Sequence, residues 1–272
     1  MTMRWLARTV RESILALPAI AAVMLPGVLR APAMVGGAHP AADGIGRSVV
    51  MILGSYGTAC TATAVARTLL LTAAHCVQPG ADYKLVDREP GQSLSEVPLL
   101  KDVARIERDP QFDLKRLFAH LATADVALIK LVDPLPARIP PVPIGGETET
   151  VAVGDTLTVA GYGVTVRGDG RTGGVVRAAS LAVTGQPGSL QIRLFDPATK
   201  GQSAGLGACA GDSGAPAFRD NNGTLTIVGV VSWSTGPNLS GGCGGLTGIT
   251  PLVRYRGWIL DTARLLGSPL VR

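Results

Sequence analysis

Turn-forming residues divide this chain into short apolar segments, and that division constrains the fold more than any other sequence feature. The 272 residues include 35 glycines and 19 prolines, and no long amphipathic helix precedes the C-terminal stretch. Short apolar runs between turn signals are typical of β-strands. The clearest runs are residues 48–53, 64–72, 156–163 and 225–233, and the proline-rich residues 134–143 form the expected connector between two halves. The sequence therefore predicts an all-β fold.

The first 33 residues have the pattern of a secretory signal peptide. Three arginines precede an apolar run over residues 13–25, and Ala31-Pro32-Ala33 resembles a signal peptidase site. The alternative is a retained membrane anchor, but the run is short against the roughly 20 residues that a membrane span requires. We therefore expect a secreted or periplasmic protein that has no stable membrane association after signal cleavage.

The formal charge of +5 gives no sign of a polyanionic partner. Four arginines and one glutamate in the first 33 residues contribute +3, which leaves +2 for the remainder of the chain. The sequence has no basic stripe with interleaved aromatic residues, which is the usual pattern of a nucleic-acid surface. Nucleic acid is therefore not an expected partner.

The segment Gly211-Asp212-Ser213-Gly214 is the first candidate for chemistry, because its serine lies in a glycine-rich turn directly after an acid. Glycine lets a backbone turn tightly and bring its N–H groups close to a ligand. Two such groups beside a nucleophilic hydroxyl can bind an oxyanion, and Gly211 and Ser213 are the candidate donors. A serine hydroxyl also needs a neighbouring base, so histidine and carboxylate partners are expected elsewhere.

Of the three histidines, His75 is the candidate base. It follows the apolar run Ala66–Thr72, which is typical of a buried strand that ends in a turn. Asp125 opens a second apolar segment, and a buried acid at that position needs a hydrogen-bond donor. The N–H group of an imidazole would supply this donor. His75, Asp125 and Ser213 therefore form a candidate triad.

Three segments carry a resemblance to a known family. Residues 71–76 (LTAAHC), 125–131 (DVALIKL) and 209–216 (CAGDSGAP) resemble, in this order, the signature segments of the chymotrypsin-like, trypsin-fold serine proteases. The order His, Asp, Ser differs from that of the α/β-hydrolases and of the subtilisins, which argues against both. The resemblance extends from about Met34 to the last helix, nearly the whole mature chain.

The resemblance implies an all-β fold of two packed six-stranded antiparallel β-barrels with a C-terminal α-helix. The first barrel is expected at about residues 34–145 and the second at about residues 146–250. The helix is expected at about residues 252–267, where apolar residues recur near helical spacing.

The implied activity is that of a serine endopeptidase acting on polypeptides. His75 would accept the Ser213 proton, Asp125 would hold the imidazole, and the N–H groups of Gly211 and Ser213 would bind the oxyanion. Neither a metal ion nor an organic cofactor is required, a monomer is expected, and protein protease inhibitors are candidate partners. One alternative is a catalytically silent homologue that acts as a binding protein, and another is an esterase with the same triad.

All cysteines follow the leader, at Cys60, Cys76, Cys209 and Cys243. An even number in a secreted chain suggests two disulfides, and four cysteines allow three pairings. We expect Cys60–Cys76 and Cys209–Cys243, because each then fastens a catalytic segment. The separation of 16 residues in the first pair also matches the histidine-loop bridge of the family. A metal site of four thiolates is the alternative, but no C-x₂-C spacing occurs.

The segment Met34-Val35-Gly36-Gly37 resembles the Ile-Val-Gly-Gly with which active members of the family begin. The resemblance implies that a free α-amino group at Met34 pairs with buried Asp212. Methionine is nearly as apolar as isoleucine and can fill the same kind of pocket. A cut after Ala33 by signal peptidase would itself create this N-terminus, so no separate propeptide is expected.

The residues that match the substrate pocket of the family carry no charge. Gly207, followed by Ala208, stands where trypsins have an acid, which disfavours cleavage after lysine or arginine. Ser232-Trp233-Ser234 matches the segment that binds the substrate backbone as an added strand. Ser234 and Gly248 match the two wall positions, and a side chain at Ser234 would narrow the pocket. A small or medium neutral residue before the cut is therefore expected.

Overall fold

A computed structural model of the protein describes residues 34–41, 44–86, 99–119, 121–185 and 190–270. The predicted signal peptide, residues 1–33, lies outside these described residues. The regular secondary structure of the described part consists mainly of thirteen β-strands, numbered β1 to β13, and two short α-helices. No helix within it is long and apolar enough to cross a membrane.

The first barrel is a closed sheet of six antiparallel strands in the order β2-β3-β4-β7-β6-β5. Its strands are β2 (Val49–Gly54), β3 (Ala59–Ala66), β4 (Leu69–Thr72), β5 (Tyr83–Val86), β6 (Leu99–Arg108) and β7 (Ala127–Leu131). Pairing of β2 with β5 closes the barrel. The apolar run at residues 64–72 holds the end of β3 and the whole of β4, with a turn between them.

The second barrel follows the proline-rich connector and is formed by six antiparallel strands. They are β8 (Thr156–Gly161), β9 (Arg177–Thr184), β10 (Ile192–Phe195), β11 (Pro216–Asn221), β12 (Thr224–Ser234) and β13 (Leu246–Pro251). The strand order is β9-β10-β13-β12-β11-β8, and pairing of β8 with β9 closes the sheet. Two closed six-stranded barrels confirm the fold class that the sequence predicted.

The segment before the first barrel differs from the expected domain boundary. Strand β1 (His39–Pro40) pairs with β9, so it extends the sheet of the second barrel. The first barrel therefore begins at β2 rather than at Met34. The N-terminal segment instead crosses to the barrel that carries Ser213, where Val35 forms an isolated β-bridge with Gly207.

Apolar side chains fill both barrels and the interface between them. The four residues of β4 are all buried: Leu70 packs into the core of the first barrel, while Leu69 and Leu71 join a cluster shared by both barrels. Phe218 of β11 and Val230 of β12 contribute to the same shared cluster. A strand covered on both faces has no polar face, which explains the unbroken apolar run in the sequence.

Two α-helices lie at the edges of the barrels. Helix α1 (Leu114–Phe118) begins after Asp113, whose carboxylate accepts hydrogen bonds from Lys115 N and Arg116 N and caps the helix. Helix α2 (Arg256–Leu265) is the predicted terminal helix. It packs through the buried Ile259 against the shared cluster.

Candidate active site

His75 lies directly after β4, in a single short turn that spans Ala74–Cys76. A disulfide joins Cys76 to Cys60 on β3, with the two Cα atoms 6.1 Å apart. The turn is therefore fixed both by the strand before it and by a covalent bond to the neighbouring strand. The imidazole remains partly accessible, with 19% of the side chain exposed.

Asp125 is fully buried just before β7, and its carboxylate accepts three hydrogen bonds. Oδ1 accepts from the backbone N of His75 at 2.9 Å, and Oδ2 accepts from His75 Nδ1 at 2.7 Å. The Ser232 hydroxyl donates to Oδ2 at 2.5 Å. These bonds satisfy a buried acid and place the proton of a neutral imidazole on Nδ1. Nε2 is then unprotonated and able to act as a base, with the disulfide sulfur of Cys76 3.9 Å away.

Ser232 has a side-chain contact that the sequence did not predict. Its hydroxyl is directed to Asp125, while the substrate contact expected for this residue uses its backbone and stays a prediction. Nothing in the sequence indicates this bond, because the two residues are 107 positions apart and lie on different barrels. The bond joins the strand that follows Ser213 to the acid of the first barrel.

Backbone hydrogen bonds hold the Ser213 segment between β3 of the first barrel and β12 of the second. Thr61 N donates to Ser213 O at 2.8 Å, and Gly214 N donates to Val231 O at 2.7 Å. Gly214 has φ +79°, and a Cβ there would lie 2.2 Å from Thr72 Oγ1. Only glycine allows this approach, because both the positive φ and the close contact exclude a side chain. The Ser213 hydroxyl forms no hydrogen bond with any described residue.

The turn before Ser213 leaves two backbone N–H groups unused. Asp212 N donates to Cys209 O at 3.0 Å, and Gly214 N also has an acceptor. The N–H groups of Gly211 and Ser213, which precede and follow Asp212, have no acceptor in the described part of the chain. Two unpaired N–H donors beside a serine hydroxyl are what an oxyanion site requires.

A hydrogen bond to the carbonyl of the same peptide group fixes the orientation of the Gly211 N–H. Val164 N donates to Ala210 O at 2.8 Å, and the carbonyl and N–H of one trans peptide point in opposite directions. Thr61 holds the other side: its Oγ1 donates to Gly211 O at 2.8 Å and accepts from Tyr162 N at 3.1 Å. Sequence reasoning missed Thr61, whose only signal is its position after Cys60.

Asp212 is a second fully buried acid beside the serine. Its carboxylate accepts from Gly163 N at 2.8 Å and from Cys209 N at 2.9 Å. Burial raises the pKa of Asp212 to about 7, against the opposing effect of these two hydrogen bonds. A Cβ on Gly161 or Gly163 would lie within 2.3 Å of the carboxylate oxygens, so both neighbours must be glycine.

Met34 is also fully buried and belongs to the core cluster of the second barrel. Ala208 and Ala215, which lie on either side of the Ser213 turn in the chain, are members of the same cluster. The predicted N-terminal residue thus packs in the barrel that holds Asp212. The described residues include no hydrogen bond between Met34 and Asp212.

A pocket of about 290 Å³ opens beside Ser213. Its lining includes Arg167, Ala210, Ser213, Trp233, Ser234 and Gly242. The second disulfide, Cys209–Cys243, joins the serine segment to the glycine-rich wall, with the Cα atoms 4.9 Å apart. Trp233 and Ser234 of the predicted substrate-binding segment therefore line one cavity together with Ser213.

A β-bulge interrupts the pairing of β12 with the strand that carries Gly248. The bulge lies between Val231 and Trp233, and beyond it Trp233 pairs with Gly248 and Ser234 pairs with Thr247. The indole of Trp233 would lie 2.0 Å from a Cβ on Gly248, so this position requires glycine. The match of Gly248 with the second wall position of the pocket stays a prediction.

Thr247 is fully buried next to the predicted base of the pocket. Its Oγ1 accepts from Ala208 N at 2.9 Å and would lie 3.4 Å from a Cβ on Gly207. Gly207 and Ala208 are therefore close to Thr247, and none of the three carries a charge. Thr247 is a contact of the expected pocket base that the sequence did not predict, because the pairing of its strand depends on the bulge.

One cluster of metal-ligand types occurs among the described residues, formed by Cys60, His75 and Cys76. The two sulfur atoms are bonded to each other as a disulfide. A disulfide sulfur is not a thiolate, so this cluster lacks the ligands that a zinc site uses.

One comparison with known proteins bears on this arrangement. A family model described as Trypsin matches residues 35–259, which is most of the chain and includes His75, Asp125 and Ser213. The matched region also contains both closed barrels. The chain therefore belongs to the trypsin family of serine proteases.

Proposed function

We propose that this chain is a secreted serine endopeptidase with His75, Asp125 and Ser213 as its catalytic triad. Ser213 Oγ attacks the carbonyl carbon of the peptide bond while His75 Nε2 takes the hydroxyl proton. The imidazolium then gives that proton to the leaving amine, and water repeats the sequence on the acyl-enzyme. Asp125 holds the Nδ1–H tautomer and stabilises the positive charge on His75.

The observation that carries this proposal is the pair of free N–H groups on Gly211 and Ser213. They belong to the proposed nucleophile and to the residue two positions before it, whereas the N–H groups of Asp212 and Gly214 both have acceptors. A silent homologue has no need to keep two backbone donors unpaired beside a serine. In the proposed reaction they bind the oxyanion, and loss of one such donor costs roughly 3 kcal/mol in similar sites.

Maturation is proposed to follow from signal cleavage alone. A cut after Ala33 would leave Met34 with a free α-amino group, and Asp212 is a buried acid without a cationic partner among the described residues. Pairing the two would favour the ionised acid and stabilise the turn that holds Gly211 and Ser213. The two disulfides are consistent with an oxidising, secreted or periplasmic location.

For the residue before the cut, we propose a short side chain without positive charge. Gly207 and Ala208, at the expected base, offer no carboxylate to a lysine or arginine, and Ser234 lines the cavity beside Ser213. Small or medium neutral residues fit such a pocket. The substrate backbone is proposed to add to the Ser232–Ser234 strand, and polypeptides and protein inhibitors are the proposed partners of a monomer.

The test is Ser213→Ala in the chain that begins at Met34. We expect peptide hydrolysis to fall by a factor of about 10⁶, because the nucleophile is lost, while circular dichroism and the thermal midpoint stay unchanged. Ser180→Ala, at an exposed serine on β9, is the matched control and should keep full activity. Equal hydrolysis by the Ser213 variant and the wild type would refute the assignment. A wild type that is folded but inert would favour the binding-protein alternative.

A further inference from the structure

Arg167 lies in a loop between β8 and β9 that is fixed by its own hydrogen bonds. Thr172 Oγ1 accepts from Thr165 N and from Val166 N, both at 3.1 Å, and donates to Asp169 O at 2.8 Å. These bonds close the loop across its base. The backbone on both sides of Arg167 is therefore held in place, and its side chain can be aimed.

The guanidinium of Arg167 reaches the glycine-rich wall of the pocket. Its Nη1 donates to Gly241 O at 2.6 Å, and the same nitrogen would lie 3.3 Å from a Cβ on Gly242. Arg167 lines the pocket together with Ser213 and Ser234. The hydrogen bond thus holds a cation at the edge of the cavity that opens beside the proposed nucleophile.

Within the described ranges, the guanidinium of Arg167 has no acidic partner. The nearest acid in the loop, Asp169, is engaged by Arg171, whose backbone N and Nε both lie 3.1 Å from Asp169 Oδ1. No carboxylate pairs with Arg167 among the described residues, and no other charged residue lines this pocket. A guanidinium has five N–H donors and only one is used here, so the remaining donors are available to a ligand.

The pocket chemistry indicates which ligand these donors suit. A carboxylate is the group that a planar guanidinium binds best, and Ser234 adds a hydroxyl on the same wall, bonded to Gly242 O at 3.3 Å. Because Arg167 is the one charged residue among those that line this pocket, an acidic side chain that entered it would find its cation there.

We propose that Arg167 is a specificity residue that pairs with the carboxylate of an aspartate or glutamate directly before the cut bond. This inference rests on the proposed peptidase function and refines it: among short side chains, acidic ones are cleaved faster than their neutral isosteres. Arg167 takes no part in the bond-breaking step, so its removal should lower kcat/KM for an acidic residue before the cut more than kcat/KM for its neutral isostere.

The test uses four peptides that differ only in the residue before the cut, namely alanine, glutamine, glutamate and lysine. For the wild type beginning at Met34, we expect kcat/KM for glutamate to exceed that for glutamine by about three- to tenfold, and the ratio to fall at high salt. Arg167→Gln should bring the ratio to about one. Arg167→Glu should lower it further and raise the lysine-to-glutamine ratio.

Arg171→Gln is the matched control, because Arg171 belongs to the same loop and its side chain is 92% exposed. It should keep the glutamate-to-glutamine ratio of the wild type. Arg171→Gln should also cleave the alanine peptide as the wild type does, and each variant's rates for the other peptides are compared with its own rate for the alanine peptide. A wild-type ratio of one, or a ratio unchanged in Arg167→Gln, overturns the inference. Failure to cleave any peptide, alanine included, instead refutes the proposed peptidase function.

Discussion

Two fully buried acids, Asp125 and Asp212, lie on different barrels and have contrasting surroundings. Asp125 accepts three hydrogen bonds, two of them from the side chains of His75 and Ser232. Asp212 accepts only two, both from backbone N–H groups. Asp125 therefore has hydrogen-bond donors from two side chains, whereas burial raises the pKa of Asp212 to about 7.

In the proposed mechanism, this difference separates a group that acts on the reaction from a group that controls assembly of the site. Asp125 would orient a side chain that exchanges protons with substrate, so its charge would act on the reaction. Asp212 contacts no described side chain of this kind, and its two donors are backbone N–H groups of Gly163 and Cys209. In our account, Asp212 becomes an ion pair only when the α-amino group of Met34 is free.

Replacement of Asp125 should cause a larger loss of activity than any change to Asp212 or Ser232. In Asp125→Asn the carboxamide can keep a hydrogen bond to His75 but favours the wrong tautomer of the imidazole. We expect kcat to fall by about 10⁴-fold, with KM and the thermal midpoint little changed. Steady-state kinetics on the alanine peptide measures this effect.

Ser232→Ala is the control for the Asp125 substitution. It removes one of the three donors and leaves both the charge and the imidazole contact, so kcat should fall by about tenfold or less. If both variants lose the same activity, the special role of Asp125 in orienting His75 is wrong.

A smaller effect, on stability, is expected from the pairing of Asp212 with the N-terminus. In a Ser213→Ala chain that retains Ala31-Pro32-Ala33, Met34 has no free α-amino group to pair with Asp212. Its folded pKa lies above the unfolded value of 3.8, so the folded state holds a proton that the unfolded state releases. The free energy of unfolding should therefore fall as pH rises from 4 to 7, by at most roughly 4 kcal/mol. Urea unfolding at several pH values measures this decrease.

The matched chain begins at Met34 and carries the same Ser213→Ala substitution. Its amine stabilises the ionised acid, so the decrease between pH 4 and 7 should be absent, and stability should be lost only as the amine deprotonates at higher pH. Asp212→Asn should remove the difference between the two chains. Identical pH profiles for the long and short chains would show that Met34 and Asp212 do not pair.

Local patterns in the sequence predicted much of this architecture. Turn signals and apolar runs indicated the strands, and the resemblance of three segments indicated two barrels with His75, Asp125 and Ser213 near one another. The burial of β4 on both faces explains why its leucine run was so clear. Helix α1 was missed because a single capping residue, Asp113, decides it.

The parts that could not be predicted depend on contacts between distant residues. One bulge in β12 sets the pairing of Ser234 with Thr247, and a one-residue shift of this kind leaves no mark in a single sequence. The bonds of Ser232 to Asp125 and of Arg167 to Gly241 join different strands and loops. No local pattern encodes such pairs, since the two partners lie far apart in the chain.

The most direct test of the proposed triad is the intact mass of the secreted protein before and after reaction with a fluorophosphonate probe. We predict a chain that begins at Met34 and gains one adduct, located on Ser213 by peptide mapping. Such labelling requires an activated serine and a formed oxyanion site at the same time. A chain that begins at Met34 and gains no adduct would contradict the account.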